Sequence, residues 1–274
     1  MADTGDTSAG ALAGRVALVT GASRGIGAAI ARRFAAQGAV VAVSARTPGE
    51  GEHLLPGSVA TTVDDIVGGG GAAVGFVTDL SLPEGRTRLV REVENELGPI
   101  DVLVNNAAVT WFEPAETFDI SHYELMFAVQ VRAPFELSRL VLPGMRERGH
   151  GWILNISSGA ARHPEGPPYD RGLTGGTVYG MCKAAVERLS TGLAAKAHAN
   201  GVAVNALSPA GLVATPGVVH HGLDRWVPVE AQEPVEVMAT AALALCSGDP
   251  ARLTGRVAYS RPLLDELGIT VEGL

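Results

Sequence analysis

The chain has 274 residues, of which 46% are hydrophobic and 18% are charged, so it can bury a sizeable core. Its 21 basic and 29 acidic residues give a net charge of −8, which disfavours a nucleic acid or an anionic membrane as a partner, because both need a basic patch. No apolar run approaches the roughly 18 residues of a membrane span, and Cys182 and Cys246 do not make a disulfide framework. We therefore expect a soluble cytoplasmic protein with reduced, buried thiols.

Residues 1–13 carry acidic side chains and no basic region, so they are not typical of a signal peptide, and we expect a short disordered tail. Residues 14–274 have no repeat or linker and are predicted to form a single domain. In chain order we predict strands at 15–20, 39–45, 72–80, 100–108, 151–158, 201–209 and near 255–259. The predicted helices lie at 25–38, 58–69, 84–98, 121–147, 178–189 and near 234–247, with Pro134 and Pro143 as irregular points.

Strands that are apolar on both faces and alternate with helices are typical of an α/β fold with a doubly wound parallel sheet. Such sheets bind ligands beyond the carboxyl ends of their strands. The residues predicted to lie at those ends are Gly21, Ala45, Asp79, Asn106, Ser158 and Pro209.

A glycine-rich turn, TGASRGIG (20–27), joins the first strand to the first helix. Gly21, Gly25 and Gly27 permit a tight turn and let a pyrophosphate approach the free N–H groups of the helix N-terminus. A glycine-rich turn without a ligand is the competing interpretation, but its position in the first strand–helix unit favours a dinucleotide site.

The end of the second strand bears on the choice of dinucleotide. A carboxylate there would bind the ribose 2′-hydroxyl of NAD, whereas this chain has Ala45 followed by Arg46. Together with Arg24 in the glycine loop, two guanidinium groups suit a 2′-phosphate, so NADP(H) is predicted over NAD(H). A purely solvated Arg46 is the alternative.

Tyr179 and Lys183 are four residues apart on a predicted helix and therefore share one face. Such pairs are common, but an ammonium about 4 Å from a phenol interacts with it by roughly 4 kcal/mol at an effective dielectric of about 20. That interaction can lower the phenol pKa by up to about 3 units. The pair then suits proton transfer to the alkoxide that develops when a carbonyl accepts a hydride.

Four elements, TGASRGIG, DVLVNNAA, NISS and Tyr179-x-x-x-Lys183, together resemble the classical short-chain dehydrogenase/reductase family over roughly residues 14 to 260. The resemblance implies a Rossmann-type fold, an NAD(P)-dependent enzyme acting on a carbonyl or an alcohol, and usually a homodimer or homotetramer. It implies Ser158 (in preference to Ser157), Tyr179, Lys183 and Gln130 as the catalytic set. The implied cofactor contacts are Gly21, Ser23, Arg24, Gly25, Ile26, Gly27, Arg46, Asp79, Leu80, Asn106, Ala107, Tyr179, Lys183, Pro209, Val213 and Thr215.

Some positions depart from the family pattern. Gln130 stands where the family has an asparagine, and its longer amide either bonds a backbone carbonyl or a water leading to Lys183, or breaks the proton relay. Ala108 and Ala210 replace glycines, and the loop to Thr215 is about a residue longer than usual. Because of Gln130, we expect reduced or retuned activity rather than none.

Two inserted stretches bear on the ligands. Residues 159–177 either shape the substrate pocket, through Arg162, His163 or Tyr169, or form a solvated loop. Residues 47–57 extend the adenosine side. With the C-terminal sequence, they resemble hydroxysteroid-dehydrogenase-like and citronellol-dehydrogenase-like members, which implies a hydrophobic alcohol or carbonyl substrate.

The segment before the last helix contains two histidines and a tryptophan. His220 and His221 lack the converging groups of a metal site, so we predict no metal. Trp226 and Val227 form either an apolar lid over the substrate or ordinary packing under a loop.

The leading functional hypothesis is an NADP(H)-dependent carbonyl reductase or alcohol dehydrogenase. The same tyrosine, lysine and serine also suit the acid–base chemistry of a dehydratase or cyclase with a structural dinucleotide. A regulator that binds NADPH without turnover is a third hypothesis, and Gln130 gives weight to both alternatives.

Overall fold

A computed structural model describes residues 10–167, 169 and 176–271. A single parallel sheet runs through this part of the chain, with strands in the order β3-β2-β1-β4-β5-β6-β7. The strands are β1 (Val16–Thr20), β2 (Val40–Ala45), β3 (Ala72–Val77), β4 (Val102–Asn105), β5 (Gly151–Ile156), β6 (Val202–Ser208) and β7 (Val257–Tyr259). The predicted doubly wound parallel sheet is therefore confirmed.

Helices cover both faces of the sheet, and each face has its own apolar core. The helices are α1 (Gly25–Ala36), α2 (Val59–Gly68), α3 (Pro83–Leu97), α4 (Ile120–Phe127), α5 (Ala133–Arg148), α6 (Thr177–Ala197), α7 (Pro216–His220), α8 (Val235–Ser247) and α9 (Ser260–Leu267). Both cysteines are free and buried, as expected. None of the helices in these ranges is long and apolar enough to cross a membrane.

The helix predicted at 121–147 is interrupted by a turn of π-helix, Ala128–Arg132. Pro134 has no N–H to donate to the carbonyl of Gln130 four residues earlier, so the α-helical ladder cannot continue there. By contrast, α5 continues through Pro143 to Arg148. The π turn thus places Gln130 at an irregular point of the fold.

Several predicted boundaries are wrong. Strand β3 ends at Val77 rather than 80, and β4 ends at Asn105 rather than 108, because Asp79 and Asn106 form side-chain hydrogen bonds to turn residues just beyond these ends. The helices α7 and α9 were not predicted. Leu12 is fully buried and its N–H donates to the carbonyl of Gln37 (2.9 Å), so residues 10–13 pack on the fold, whereas residues 1–9 lie outside the described chain.

Candidate active site

The glycine loop has the backbone that a pyrophosphate requires. Gly21 and Gly25 have φ of +64° and +55°, which only glycine adopts without strain. A Cβ on Gly21 would lie 2.7 Å from the Cα of Ala107. No side chain caps the first turn of α1, and that turn contains no acid. Its N–H groups are therefore available to an anion, and the loop fits the predicted dinucleotide.

Asn106 connects the ends of β1 and β4. Its Nδ2 donates to the carbonyls of Thr20 (2.9 Å) and Gly21 (3.0 Å). The backbone N–H groups of Asn106 and Ala107 donate to the Thr20 hydroxyl at 3.0 and 3.2 Å. Asn106 therefore fixes the shape of the glycine loop, while Ala108 is exposed at the adjoining edge.

Ser158, Tyr179 and Lys183 meet beyond the carboxyl end of β5. Ser158 lies close enough to the Tyr179 hydroxyl to lower its pKa, and the Nζ of Lys183 lies 5.4 Å from the centroid of the Tyr179 ring. This ammonium donates to the carbonyl of Ile156 at 2.9 Å, and only 4% of the lysine is exposed. The sequence spacing thus corresponds to a three-residue cluster in space.

The neighbouring serine has a different partner. The Ser157 hydroxyl donates to Oε1 of Glu187 on α6 at 2.7 Å, and Ser157 is buried. That bond anchors the end of β5 to α6 and leaves Ser158 as the serine beside Tyr179. Glu187 was missed from the sequence, because nothing in its spacing links it to β5.

We expected Lys183 to lower the pKa of Tyr179, but the pKa of Tyr179 is raised. Burial raises the pKa of the phenol, and the nearby Ser158 only partly opposes this effect. Burial also lowers the pKa of Lys183 to about 8. In the protein without cofactor, the phenol is therefore protonated and ready to act as an acid, while the ammonium is charged at neutral pH.

Gln130 contacts the loop after β4. Its Nε2 donates to the carbonyl of Val109 at 2.8 Å, while its Oε1 is buried without a hydrogen-bond partner among the described residues. The predicted bond to a backbone carbonyl is present, whereas the hydrogen bond of the Lys183 ammonium goes to Ile156. The amide thus holds the loop that borders Tyr179.

The residues predicted for the adenosine side lie at the ends of β2 and β3. Arg46 is exposed, and Arg24 is held by residues 47–57. The Oδ1 of Asp79 accepts from the N–H of Ser81 at 2.8 Å, and Leu80 is buried below it. These side chains are brought to one corner of the sheet, as the family pattern implies.

The loop after β6 is fixed by a buried carboxylate that sequence reasoning missed. Glu233 is 4% exposed and its Oε1 accepts from the Ser260 hydroxyl at 2.6 Å. The N–H of Ala210 donates to Ser260 (2.9 Å) and to Glu233 (3.3 Å). Ala210, where the family has glycine, is thus bound at the start of the loop.

Val213 and Thr215 continue this loop toward α1. Val213 is buried, and Thr215 caps α7 by accepting from the N–H of Val218 at 3.3 Å. A Cβ on Gly25 would lie 3.0 Å from the Cγ2 of Thr215. The loop therefore closes against the glycine turn, where the sequence placed the nicotinamide side.

Aromatic rings border Tyr179. Phe112 makes an edge contact with Tyr179 (centroids 5.8 Å apart) and another with His221 (5.5 Å). Trp226 is 84% exposed, so ordinary packing under a loop is the wrong interpretation for it. Arg162, from the inserted stretch 159–177, contacts a different ring: its Cζ lies 4.1 Å from the centroid of Tyr259.

Two of the three side chains predicted to shape the substrate pocket from residues 159–177 are exposed and contact no ring among the described residues, which also offer no metal site. His163 and Tyr169 are exposed, and residues 168 and 170–175 of the predicted 159–177 loop lie outside the described chain. Within the described ranges, no group of three or more His, Cys, Asp or Glu side chains is arranged to hold a metal ion.

Comparisons with known proteins identify the family of this chain. The family model for short chain dehydrogenases matches residues 15–224. A short chain dehydrogenase of Pseudocercospora fijiensis is 39% identical over 202 residues, 73% of this chain and 60% of that protein. A fatty acyl-CoA reductase of Mycobacterium tuberculosis is 35% identical over 260 residues, 94% of this chain and 82% of that protein.

A solved structure has the same architecture. The 3-oxoacyl (acyl-carrier-protein) reductase of Agrobacterium tumefaciens C58, solved with NADP bound, is 29% identical with a TM-score of 0.77, covering 90% of this chain and 93% of that one. The chain belongs to the short-chain dehydrogenase family. It is a nicotinamide-dependent oxidoreductase that interconverts a carbonyl and an alcohol.

Proposed function

We propose that this enzyme uses NADP(H) to reduce an apolar carbonyl compound, with Tyr179 as the proton donor. The observation that carries this proposal is the contact of Tyr179 with Ser158 beside the buried Lys183. The three residues lie at the same sheet edge as the uncapped N-terminus of α1.

In this mechanism the nicotinamide supplies the hydride. The Ser158 hydroxyl donates a hydrogen bond to the substrate oxygen and stabilises the negative charge that develops on it. The Tyr179 phenol, kept protonated by burial, donates its proton to that oxygen. The charged Lys183 lies beside the phenol and stabilises the phenolate left after proton transfer.

The remaining residues position the reactants. Gly21, Gly25 and Gly27 would accept the pyrophosphate, with Ser23 and Ile26 shaping the turn. Asp79 and Leu80 would contact the adenine, Asn106 and Ala107 the ribose side, and Pro209, Val213 and Thr215 the nicotinamide side. Gln130 is proposed to act by holding the Val109 carbonyl.

The proposed preference for NADP(H) is supported by Arg46 and Arg24 at the end of β2. We expect Arg46→Ala to weaken NADPH binding about tenfold, since one bond between charged groups is lost, and to leave NADH affinity nearly unchanged. Fluorescence titrations of both cofactors measure this. Equal losses would refute a role for Arg46 at the 2′-phosphate.

An apolar substrate is supported by the rings of Phe112 and His221 next to Tyr179. Assays of NADPH oxidation with a panel of ketones and aldehydes of increasing apolar size test the proposal. Tight NADPH binding without turnover of any carbonyl would instead favour a regulator. Loss of water or ring closure of a substrate without net oxidation of NADPH would favour a dehydratase or cyclase.

A cytoplasmic homodimer or homotetramer is also proposed. An apolar groove of about 470 Å³ on α4 and α5, lined by residues that include Tyr123, Phe127, Val131 and Phe135, supports self-association. Phe135 is 48% exposed in the single chain. Light scattering after gel filtration gives the mass, and a monomer at micromolar concentration would contradict this proposal.

The pKa of Lys183 predicts how the activity depends on pH. Burial lowers that pKa to about 8, so the ammonium is charged below pH 8 and loses its proton as the pH rises through it. The pKa of Tyr179 is raised, so the acid itself survives to higher pH. We expect kcat/KM for NADPH to be flat near neutrality and to fall about tenfold per pH unit above 8. A profile that stays flat beyond pH 9 would refute this assignment.

A further inference from the structure

Residues 47–57, here called the strap, immobilise Arg24. The Nη2 of this guanidinium donates to the carbonyl of Gly57 at 2.6 Å and to the hydroxyl of Thr47 at 3.2 Å. Its Nη1 donates to the Nδ1 of His53 at 3.2 Å. Three of the five guanidinium hydrogens are therefore taken by one inserted segment, and the plane of the group is fixed.

His53 acts as an acceptor in this arrangement. Its Nδ1 also accepts from the N–H of Leu55 at 2.9 Å. Because both partners are obligatory donors, the Nδ1 carries no proton, and the proton of the neutral ring lies on Nε2. The imidazole thus holds the guanidinium rather than repelling it as a cation.

The strap is itself anchored at the N-terminus of α2. The carboxylate of Glu50 accepts from the N–H of Gly57 (3.1 Å) and from the hydroxyl of Thr61 (3.3 Å). The N–H of Val59 donates to the carbonyl of Thr47 at 2.9 Å. The first half of the strap is therefore tied to α2, which the end of the strap leads into directly, and this gives the strap a defined position beside the glycine loop.

Basic groups converge where the strap meets the glycine loop. Burial lowers the pKa of His53, and the charges of Arg24, Arg46 and His220 lower it further. Burial and Arg46 likewise lower the pKa of Arg24, against the opposing charge of Glu50. Glu50 is exposed and its oxygens already accept bonds from Gly57 and Thr61. This corner therefore suits an added anion.

We propose that the strap is the element that selects the 2′-phosphate, with His53 as a positioning residue that presents Arg24 to it. This inference rests on the proposed preference for NADP(H). A guanidinium that is already fixed loses less conformational freedom on binding than a mobile one, so the strap raises affinity for the phosphate without contacting the nicotinamide.

Calorimetric titration of the full-length protein with 2′,5′-ADP and with 5′-ADP tests this proposal without any turnover. We expect His53→Ala to weaken 2′,5′-ADP binding about tenfold, because one hydrogen bond that holds a charged group is lost, and to leave 5′-ADP within about twofold. His53→Asn should restore the affinity, since its Oδ1 accepts from the same two donors. Leu54→Ala, at a neighbouring position that is 80% exposed, is the matched control and should change neither ligand.

Each other outcome overturns the strap proposal. If wild-type protein binds 2′,5′-ADP no better than 5′-ADP, both the NADP(H) preference and the strap proposal fail. If the wild-type protein prefers 2′,5′-ADP and His53→Ala keeps that preference, only the strap proposal fails, and the NADP(H) preference stands. Equal losses for both ligands, or no rescue by His53→Asn, would show that His53 only supports the local fold.

Discussion

Replacement of Tyr179 by phenylalanine is expected to lower kcat for carbonyl reduction about a thousandfold, the typical contribution of a positioned general acid. The variant keeps the ring that contacts Phe112 and removes only the hydroxyl near Ser158. Because the phenyl ring preserves the packing, we expect NADPH affinity to change by no more than about twofold.

The control for this variant is Tyr123→Phe. Tyr123 lies on α4 and stacks on Phe127 with centroids 4.4 Å apart, so the substitution removes a phenol outside the proposed catalytic set. Steady-state assays should show full activity for Tyr123→Phe, and fluorescence titration should show equal NADPH binding for both variants. Retention of more than a tenth of the wild-type kcat by Tyr179→Phe would mean that another group donates the proton.

The strands and helices could be predicted from the sequence because each is indicated by residues that are close together in the chain. Continuous apolar runs such as the one at 15–20 predict buried strands, and the glycine at 38 ends α1 with a φ of +86°, as its position suggested. The helix α7 carried a readable signal that was overlooked, Thr215 as N-cap followed by Pro216 at the first helical position. The π turn depends on how the helix accommodates Pro134, which has no backbone N–H to donate. The spacing of hydrophobic residues does not predict such a turn.

The site was predictable in its residue types but not in its energetics. The order of the glycine turn, Ser158, Tyr179 and Lys183 indicated which side chains meet. Burial, however, depends on the packed fold, and it raises the pKa of Tyr179 although Ser158 lowers it. The strap that fixes Arg24 is likewise a tertiary feature, because contacts to His53 and Gly57 span 29 and 33 residues.

A buried arginine joins the corner at the end of β3 to α5, the helix that follows Gln130. Arg86 on α3 is 1% exposed, and its Nε donates to the carbonyl of Leu80 at 2.7 Å. Its Nη2 donates to the carbonyl of Ser81 at 2.8 Å, and its Nη1 pairs with Glu136 on α5 at 2.9 Å. Few side chains in the described ranges are so large and so completely enclosed.

We expect Arg86→Met to lower the free energy of unfolding by about 3 kcal/mol or more. Methionine fills much of the space, but it leaves the carbonyls of Leu80, Ser81 and Ala128 without this donor and removes a buried partner of the Glu136 carboxylate. The loss should also loosen Leu80, so adenine-side ligands such as 5′-ADP should bind more weakly. Urea unfolding followed by circular dichroism measures the first effect, and calorimetry measures the second.

The matched control is Arg88→Met on the same helix. Arg88 is paired with Glu92 at 3.7 Å, and both side chains are 46% exposed. An exposed pair of this kind contributes about 0.5 kcal/mol or less, because water screens the charges. Both variants remove one positive charge, so the difference between their free energies of unfolding measures the effect of burying the guanidinium. Equal destabilisation by both would show that the enclosed guanidinium contributes no more than a surface charge, and that Leu80 is held by packing alone.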